Sequence, residues 1–118
     1  MNTQDSSPAA AARSSVAAVV LCYHPDAAVI GNVHALLQQV SHVFVINNSP
    51  DAPTAVILAP LAADERVTII DQAGNIGVGA GFNAGMQSAL DAGYQYVWIF
   101  DQDSTVAPGM LDALLAYS

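Results

Sequence analysis

The sequence predicts an α/β fold in which a mostly parallel, Rossmann-like sheet is flanked by helices. Short apolar segments rich in β-branched residues alternate with segments whose apolar residues recur at helical spacing. Hydrophobic residues make up 53% of the 118 residues and charged residues only 10%, which suits a sheet buried on both faces. The apolar segments are followed by polar residues or by glycines. Parallel sheets bind ligands at the carboxyl ends of their strands, which is where these residues lie.

The first half of the chain predicts a β-α-β unit. Residues 16–22 are apolar and β-branched and are predicted as the first strand. Asp26 can cap a helix predicted over residues 27–40, whose apolar residues fall on one face. A second strand is predicted over residues 42–46, and it ends in Asn47 and Asn48.

The middle of the chain predicts a second helix and a third strand. The helix covers residues 54–63 with a weaker pattern, and Pro60 interrupts it. The strand covers residues 67–70 and ends at Asp71. A glycine-rich loop is predicted over residues 73–81.

The last part of the chain predicts a helix, a strand and a final helix. Phe82, Met86 and Leu90 share the buried face of the first helix, which stops at Gly93. The apolar run 96–100 is predicted as a buried strand. Pro108 then opens a further helix. Trp98 and Phe100 are expected in the core rather than on a stacking surface.

The chain is predicted to form one domain. Residues 1–15 are polar and Ala-rich and are expected to be a disordered leader, and residues 16–118 form the domain. No segment approaches the length of a membrane span or has the order of a signal peptide, so a cytoplasmic location is expected. The single cysteine, Cys22, lies in an apolar strand and is expected to be buried rather than nucleophilic.

The charge of the chain excludes some classes of ligand. The formal net charge is -8, there is no lysine, and the two arginines are Arg13 and Arg66. Binding of nucleic acid or of an anionic membrane surface requires basic patches, which this composition does not supply. Any phosphate ligand would have to be met by backbone N–H groups and a metal ion.

Asp101 and Asp103 directly follow the apolar run 96–100. Because strand side chains alternate between faces, the two carboxylates are expected to point the same way. Adjacent carboxylates repel unless a positive group lies between them, and Mg²⁺ or Mn²⁺ favours such oxygen ligands. The pair therefore predicts a divalent metal site.

Two functional motifs fit parts of the sequence. Residues 79–84 match the dinucleotide-binding pattern G-x-G-x-x-A, although that pattern normally follows its strand directly and here it does not. Residues 101–105 resemble the D-x-D-x-T motif of haloacid-dehalogenase-type phosphatases, in which Asp101 would be the nucleophile and Asp103 the general acid/base. That motif usually begins its domain and works with a lysine, which this chain lacks.

Four segments together resemble a family-2 glycosyltransferase of the GT-A fold, in particular its bacterial rhamnosyltransferase-like branch. They are CYHP at 22–25, VINNS at 45–49, N-x-G at 75–77 with AG-x-N-x-G at 80–85, and FDQDS at 100–104. The resemblance covers residues 16 to about 115 and implies the nucleotide-sugar-binding, N-terminal half of such an enzyme.

The resemblance implies a role for each matching residue. Asp103 would be the direct ligand of Mg²⁺ or Mn²⁺, and Asp101 would contact the ribose or the metal through water. Tyr23 would contact the nucleobase region, and Asn48, or else Asn47, the base or ribose. The other residues implied in nucleotide-sugar binding are Asp71, Asn75, Gly77 and Asn83. His24, at a strand end, is a weaker candidate for ligand contact.

The resemblance also implies the reaction and its partners. The donor would be a nucleoside-diphosphate sugar such as dTDP-rhamnose. The acceptor would be a saccharide or a lipid-linked molecule in cell-surface polysaccharide synthesis, reached at the inner face of the membrane in the full-length protein.

The general base of such an enzyme is expected beyond Ser118, so the domain is expected to be truncated at its C-terminus. We therefore expect this chain to bind a donor without efficient transfer, and to self-associate through an unpaired sheet edge. The alternative is an inactive or interaction fragment that keeps the fold.

Overall fold

The computed structural model describes residues 14–49 and 51–116. In chain order its elements are β1 (Val16–Cys22), α1 (Ala28–Leu37), β2 (His42–Asn47), α2 (Ala52–Ala62), β3 (Val67–Asp71), α3 (Val78–Asp91), β4 (Tyr96–Asp101) and α4 (Met110–Leu115). Of the predicted leader, residues 1–13 lie outside the described part of the chain. The Ser15 carbonyl accepts hydrogen bonds from the backbone N–H groups of Gln95 and Tyr96 at 3.0 and 3.1 Å. No helix within the described ranges is long and apolar enough to cross a membrane.

The strands form one four-stranded sheet in the order β3-β2-β1-β4, and every pairing is parallel. This confirms the predicted α/β, Rossmann-like fold. Cys22 pairs with Asn47, and Asn47 pairs with Asp71. On the other side Leu21 pairs with Asp101. The register therefore brings the polar strand ends to one edge of the sheet, the carboxyl edge.

β1 lies at the centre of the core, and all seven of its residues are buried. Its alternate residues serve two different apolar clusters, as the strand period requires. Ala18, Val20 and Cys22 pack with residues of α1, α2 and α4 on one face. Ala17, Val19 and Leu21 pack on the other face with Phe44, Ile46 and Ala89, the last of which belongs to α3. Helices on both faces bury the two central strands, β1 and β2, as the composition predicted, whereas β3 and β4 are only partly buried.

α3 packs on the sheet through small residues, and this corrects two predictions. The buried residues of α3 are Gly81, Gly85 and Ala89; of the predicted face, Phe82 is partly buried against the core, whereas Leu90 is 54% exposed. The predicted loop 73–81 also ends earlier, because α3 begins at Val78. A Cβ at Gly81 would collide with Leu21, and a Cβ at Gly85 would collide with Val19. These glycines allow a helix to approach β1 closely, which periodicity of large apolar residues does not reveal.

α2 continues past Pro60, so the predicted interruption is wrong. Proline removes the N–H group that would bond to the carbonyl of Val56, four residues earlier. Val56 is 74% exposed, so this turn of the helix lies on the solvent side. The helix also begins earlier than predicted, because the Asp51 side chain caps it by accepting a hydrogen bond from the Thr54 N–H group at 2.9 Å.

β4 is an edge strand within the described part of the sheet, and the predicted burial of residues 96–100 holds only in part. Tyr96 is 54% exposed and Ile99 is 45% exposed. Trp98 and Phe100 are partly buried against the core and contact each other edge to face, with ring centroids 4.6 Å apart. Self-association is expected to occur through this edge strand, and that expectation stays a prediction.

His42, the first residue of β2, makes a polar contact with the neighbouring strand β3. Its Nε2 atom lies 2.7 Å from the Thr68 hydroxyl, and its ring centroid lies 4.8 Å from that of Phe44. Burial lowers the pKa of His42, and the charge of Asp64 opposes this change with a smaller effect. The folded state therefore favours the neutral ring, and the unfolded chain binds the proton more readily.

We expect the protein to lose stability as the pH falls from above 6.5 through the lowered pKa of folded His42. Over that pH interval the unfolded state binds the proton before the folded state does. The stability that the neutral ring contributes is therefore fully present only at pH values above the interval. Thermal midpoints between pH 7.5 and 5.5 should fall less in His42→Gln than in the wild type. The exposed His34 supplies the control, and His34→Gln should retain the wild-type slope. Equal slopes in the wild type and His42→Gln would contradict the expectation.

Candidate functional site

The carboxyl edge gathers most of the residues that the sequence singled out. Five pairwise contacts organise it; four of them join two predicted site residues, and the fifth joins Tyr23 to Gln102. The contacts join Asn47 to Asp71, Asn48 to Gly77, Asn75 to Gly77, Asp101 to Asp103, and Tyr23 to Gln102. Asn83 lies apart, exposed on α3 in the turn that follows the start of the helix.

The two carboxylates lie on a tight turn. β4 ends at Asp101, and residues 102–103 turn away from the strand, so strand alternation does not set the direction of Asp103 as predicted. The Oδ1 atom of Asp101 accepts hydrogen bonds from the Asp103 N–H group at 3.1 Å and from the Ser104 hydroxyl at 2.9 Å. Both aspartates are exposed. Asp101 thus shapes the turn with one oxygen atom and presents Asp103 to solvent.

Gln102, between the two aspartates, ties this turn to the first β-α unit. Its Oε1 atom accepts a hydrogen bond from the Tyr23 N–H group at 2.6 Å. Its backbone carbonyl accepts one from the Asn32 side chain of α1 at 2.9 Å. Neither Asn32 nor Gln102 was predicted as a site residue from the sequence. The signal for Gln102 was its position within the acidic pair, whereas Asn32 is 70 residues away along the chain and carried none.

The donor set at this turn fits a divalent cation that is shared with a phosphate ligand. Within residues 14–49 and 51–116, no group of three or more His, Cys, Asp or Glu side chains could hold a metal by itself. Mg²⁺ is usually bound through one or two carboxylates, substrate phosphates and water rather than by a complete protein cage. Asp101 and Asp103 supply such a pair of carboxylates at the exposed end of β4.

At the end of β2, Asn47 is buried and holds Asp71. Asn47 donates a hydrogen bond from its amide to Asp71 Oδ1 at 2.9 Å. Its own oxygen accepts hydrogen bonds from the N–H group and the hydroxyl of Ser49, at 3.0 and 3.2 Å. Asn47 is only 2% exposed, whereas Asp71 is exposed. Both residues line a cleft of about 400 Å³ between α2 and β3. Asp71, rather than Asn47, therefore presents a polar group to a ligand.

Asn48 is also buried, at 2% exposure. Its backbone N–H group donates to the Cys22 carbonyl at 2.9 Å, and its side-chain amide donates to the Gly77 carbonyl at 3.4 Å. Its Oδ1 atom is buried and has no hydrogen-bond partner among the described residues. Buried acceptors without a donor are uncommon in proteins. Asn48 thus links the end of β1 to the segment before α3.

The start of α3 faces solvent beside these residues. Gly77 precedes the helix with φ 87°, a conformation that favours glycine, and its N–H group donates to Asn75 Oδ1 at 2.9 Å. The first intrahelical bond is donated by the Gly81 N–H group to the Gly77 carbonyl. The N–H groups of residues 78–80 therefore lack helical acceptors, as at the start of any helix, and they carry partial positive charge.

Tyr23 and His24 follow β1 and lie on the open side of the edge. Tyr23 is 52% exposed, and its ring contacts that of His24 edge to face at 4.3 Å. His24 has φ 46° and donates its N–H group to the Ser49 hydroxyl at 2.8 Å. Its Nδ1 atom lies 3.2 Å from Asp51. These contacts fix the backbone that presents the Tyr23 ring.

Asp51 supports this corner from the start of α2. Hydrogen bonds from Thr54 hold the pKa of Asp51 below its usual value, and the nearby His24 imidazole acts in the same direction. The Thr54 hydroxyl in turn lies 3.3 Å from that of Ser49. Ser49 and Asp51 were not predicted as site residues, although both are polar residues between β2 and α2.

Cys22 is excluded as a nucleophile, as the sequence predicted. Its side chain is fully buried in β1. Burial raises the pKa of the thiol to about 12, and the negative charge of Asp103 adds to the rise. A thiol of this kind stays protonated at neutral pH and is inert.

Side-chain cations are scarce at the carboxyl edge. Of the residues that the structure describes, Arg66 is the only arginine, and it pairs with Asp64 at 3.0 Å just before β3, at the opposite end of the sheet. An anionic ligand at the carboxyl edge would therefore meet Asp71, Asp101 and Asp103 without a guanidinium to balance them. Backbone N–H groups, the His24 side chain and a bound metal ion are the sources of positive charge that the described part of the chain leaves for such a ligand.

Comparison with known proteins gives two matches. A family model described as Glycosyl transferase family 2 matches residues 18–118. A curated protein, the polyprenol monophosphomannose synthase of Mycolicibacterium smegmatis, is 33% identical over 88 residues. That alignment covers 74% of this chain and 33% of the relative, so the chain spans about a third of the length of that protein. The family match includes every residue to which the sequence analysis gave a role.

Proposed function

The chain belongs to glycosyl transferase family 2, and on that basis we propose that it binds the nucleoside-diphosphate sugar donor of a metal-dependent glycosyl transfer. The observation that carries the proposal is the turn at residues 101–103. It exposes two carboxylates at the carboxyl edge of a parallel sheet, where ligands of such sheets bind. The absence of arginine at this edge, among the described residues, supports a metal ion as the partner of the diphosphate.

In this proposal Asp103 is the direct ligand of Mg²⁺ or Mn²⁺, and Asp101 contacts the ribose or the metal through water. Tyr23, exposed beside the end of β1, contacts the nucleobase region. Asp71 and Asn75 line the nucleotide side of the site. The start of α3 after Gly77 offers N–H groups to an anionic part of the donor.

Burial changes the proposed roles of the two asparagines at the end of β2. Asn47 and Asn48 are each 2% exposed, so neither presents a large surface to the donor. We assign them the task of holding Asp71 and the Gly77 segment, to which they are hydrogen-bonded. Asn83 is kept as a candidate for the outer wall because it is exposed on α3.

The proposed site serves the departure of the nucleoside diphosphate. As the bond between sugar and phosphate breaks, negative charge develops on the leaving group and must be stabilised. A bound divalent cation supplies this stabilisation by acting as a Lewis acid. The chain itself binds the donor and orients the diphosphate toward the turn at residues 101–103. We assign no general base within the described residues.

Two candidate sugars and two kinds of acceptor are proposed. The sequence resemblance supports rhamnose, from a donor such as dTDP-rhamnose, and a saccharide acceptor in cell-surface polysaccharide synthesis. The name of the mycobacterial relative contains mannose and polyprenol, which supports mannose as a second candidate sugar and a lipid-linked acceptor. The phosphatase alternative is less well supported, because the family match is to glycosyltransferases and the chain has no lysine.

Calorimetric titration tests the proposal. The chain is titrated with dTDP, UDP, GDP and ADP, in Mn²⁺ and again in EDTA. We expect at least one of these nucleoside diphosphates to bind, and to bind more tightly in Mn²⁺. If none binds in either condition, the proposal is wrong, and the alternative of a fragment that keeps the fold without a usable site is supported.

A further inference from the structure

The turn at residues 101–103 is held from outside by two hydrogen bonds that both end on Gln102. One comes from the Tyr23 N–H group at the end of β1 and measures 2.6 Å. The other comes from the side-chain amide of Asn32 on α1 and measures 2.9 Å. Asn32 is half-buried, whereas Asp101 and Asp103 are exposed. An exposed turn is thus fastened to two elements of the first β-α unit.

A second amide of the same region holds the chain that follows the turn. Gln39, just after α1, is 8% exposed. It donates a hydrogen bond to the Ala107 carbonyl at 2.9 Å and accepts one from the Leu111 N–H group at 2.7 Å. Residues 104–107 have no regular secondary structure. Asn32 and Gln39 therefore fasten the segment after β4 at its beginning and at its end.

We propose that Asn32 is a positioning residue that acts through Gln102 to fix the Asp101 and Asp103 carboxylates relative to Tyr23. This inference rests on the proposed function, since it assigns Asn32 to the metal-and-diphosphate end of the donor site. Tyr23 lies at the nucleobase end, and the ribose joins the nucleobase to the diphosphate. Gln102 is bonded to the backbone of Tyr23 itself, so the same contact that holds the turn also sets the distance between the two ends.

The expected consequence of losing Asn32 is specific. The Asp101–Asp103 and Asp101–Ser104 bonds lie within the turn and remain, so the turn keeps its shape but not its place. Residues that orient metal ligands from outside the coordination sphere typically change metal affinity about 10–100-fold when they are altered. Contacts with the nucleobase end do not involve the Asn32 side chain, so nucleoside binding should be unchanged.

The test compares Asn32→Ala with Gln38→Ala in the full chain. Gln38 is an exposed amide residue at the end of the same helix and serves as the matched control. For each protein, the affinity for the tightest-binding of dTDP, UDP, GDP and ADP is measured in Mn²⁺ and in EDTA, together with the affinity for the corresponding nucleoside. The ratio of the two diphosphate affinities is the metal-dependent gain. A merely structural loss would lower the thermal midpoint without changing this ratio.

We expect Asn32→Ala to reduce the metal-dependent gain about 10-fold, and Gln38→Ala to leave it at the wild-type value. Asn32→Leu removes the amide donor to the Gln102 carbonyl but keeps a side chain of similar size, so it should also reduce the gain and replaces Asn32→Ala if that variant does not fold. A wild-type gain in the folded variants would overturn the positioning role alone. If the wild type itself shows no gain, the proposed metal-dependent function fails and this inference fails with it.

Discussion

Replacement of Asp103 by asparagine should remove the metal-dependent part of nucleoside-diphosphate binding. Asp103 is exposed on the turn after β4, and its N–H group is held by Asp101. The substitution keeps the size of the side chain but removes its negative charge. Replacing residues that only orient a metal ligand changes metal affinity about 10–100-fold. Loss of a direct ligand should therefore lower the affinity for the nucleoside diphosphate in Mn²⁺ at least about 100-fold. Affinity in EDTA should be unchanged, and calorimetric titration measures both values.

The matched control for this substitution is Glu65→Gln. Glu65 is exposed before β3, at the amino end of the sheet, and the change removes the same charge. It should retain the wild-type response to Mn²⁺, which separates a local ligand from the effect of net charge. If Asp103→Asn and Glu65→Gln responded to Mn²⁺ in the same way, Asp103 would not be the ligand.

Replacement of Gly85 by alanine should destabilise the fold. The added Cβ would collide with the Val19 side chain, which is fully buried in the central strand β1, and it would crowd Ile46. Both neighbours are fully buried. We expect the free energy of unfolding to fall by about 2 kcal/mol, within the range of roughly 1–3 kcal/mol that overpacking of a core costs. Urea denaturation measures the change.

Gly31→Ala is the matched control for Gly85→Ala. Gly31 also lies inside a helix, α1, but a Cβ there would meet no atom within 4 Å. We expect this variant to be stabilised by up to about 1 kcal/mol, because alanine favours the helix more than glycine does. A Gly85→Ala protein as stable as Gly31→Ala would show that α3 does not approach β1 as closely as described.

The sheet could be predicted from the sequence because its signals are local. The apolar, β-branched segment of β1 is bounded by polar residues, and its predicted limits agree with the strand at Val16–Cys22. The parallel order followed from the alternation of strands and helices. The packing face of α3 could not be predicted in this way. Glycines such as Gly85 carry no hydrophobic signal, and their burial depends on how closely Val19 approaches from another element.

The candidate site, too, could be predicted from the sequence only in part. The polar residues after each strand were found, because the carboxyl ends of parallel strands meet at one edge. Which of them face a ligand depended on contacts between distant segments. Asn47 and Asn48 turned out to be buried beneath Asp71 and the Gly77 segment. The bond between Asn32 and Gln102 joins residues 70 positions apart and leaves no pattern in a single sequence.

The position of a bound metal and diphosphate is the most direct test of the proposed site. Mn²⁺ is paramagnetic, so in its presence the amide signals of nearby residues broaden in a nuclear magnetic resonance spectrum. With the tightest-binding nucleoside diphosphate added, we predict broadening at Tyr23 and at residues 102–104, on the carboxyl edge. We predict none at Glu65 or Tyr94, which precede β3 and β4 at the opposite edge. Broadening centred on the amino edge, or broadening that the diphosphate does not enhance, would contradict the account.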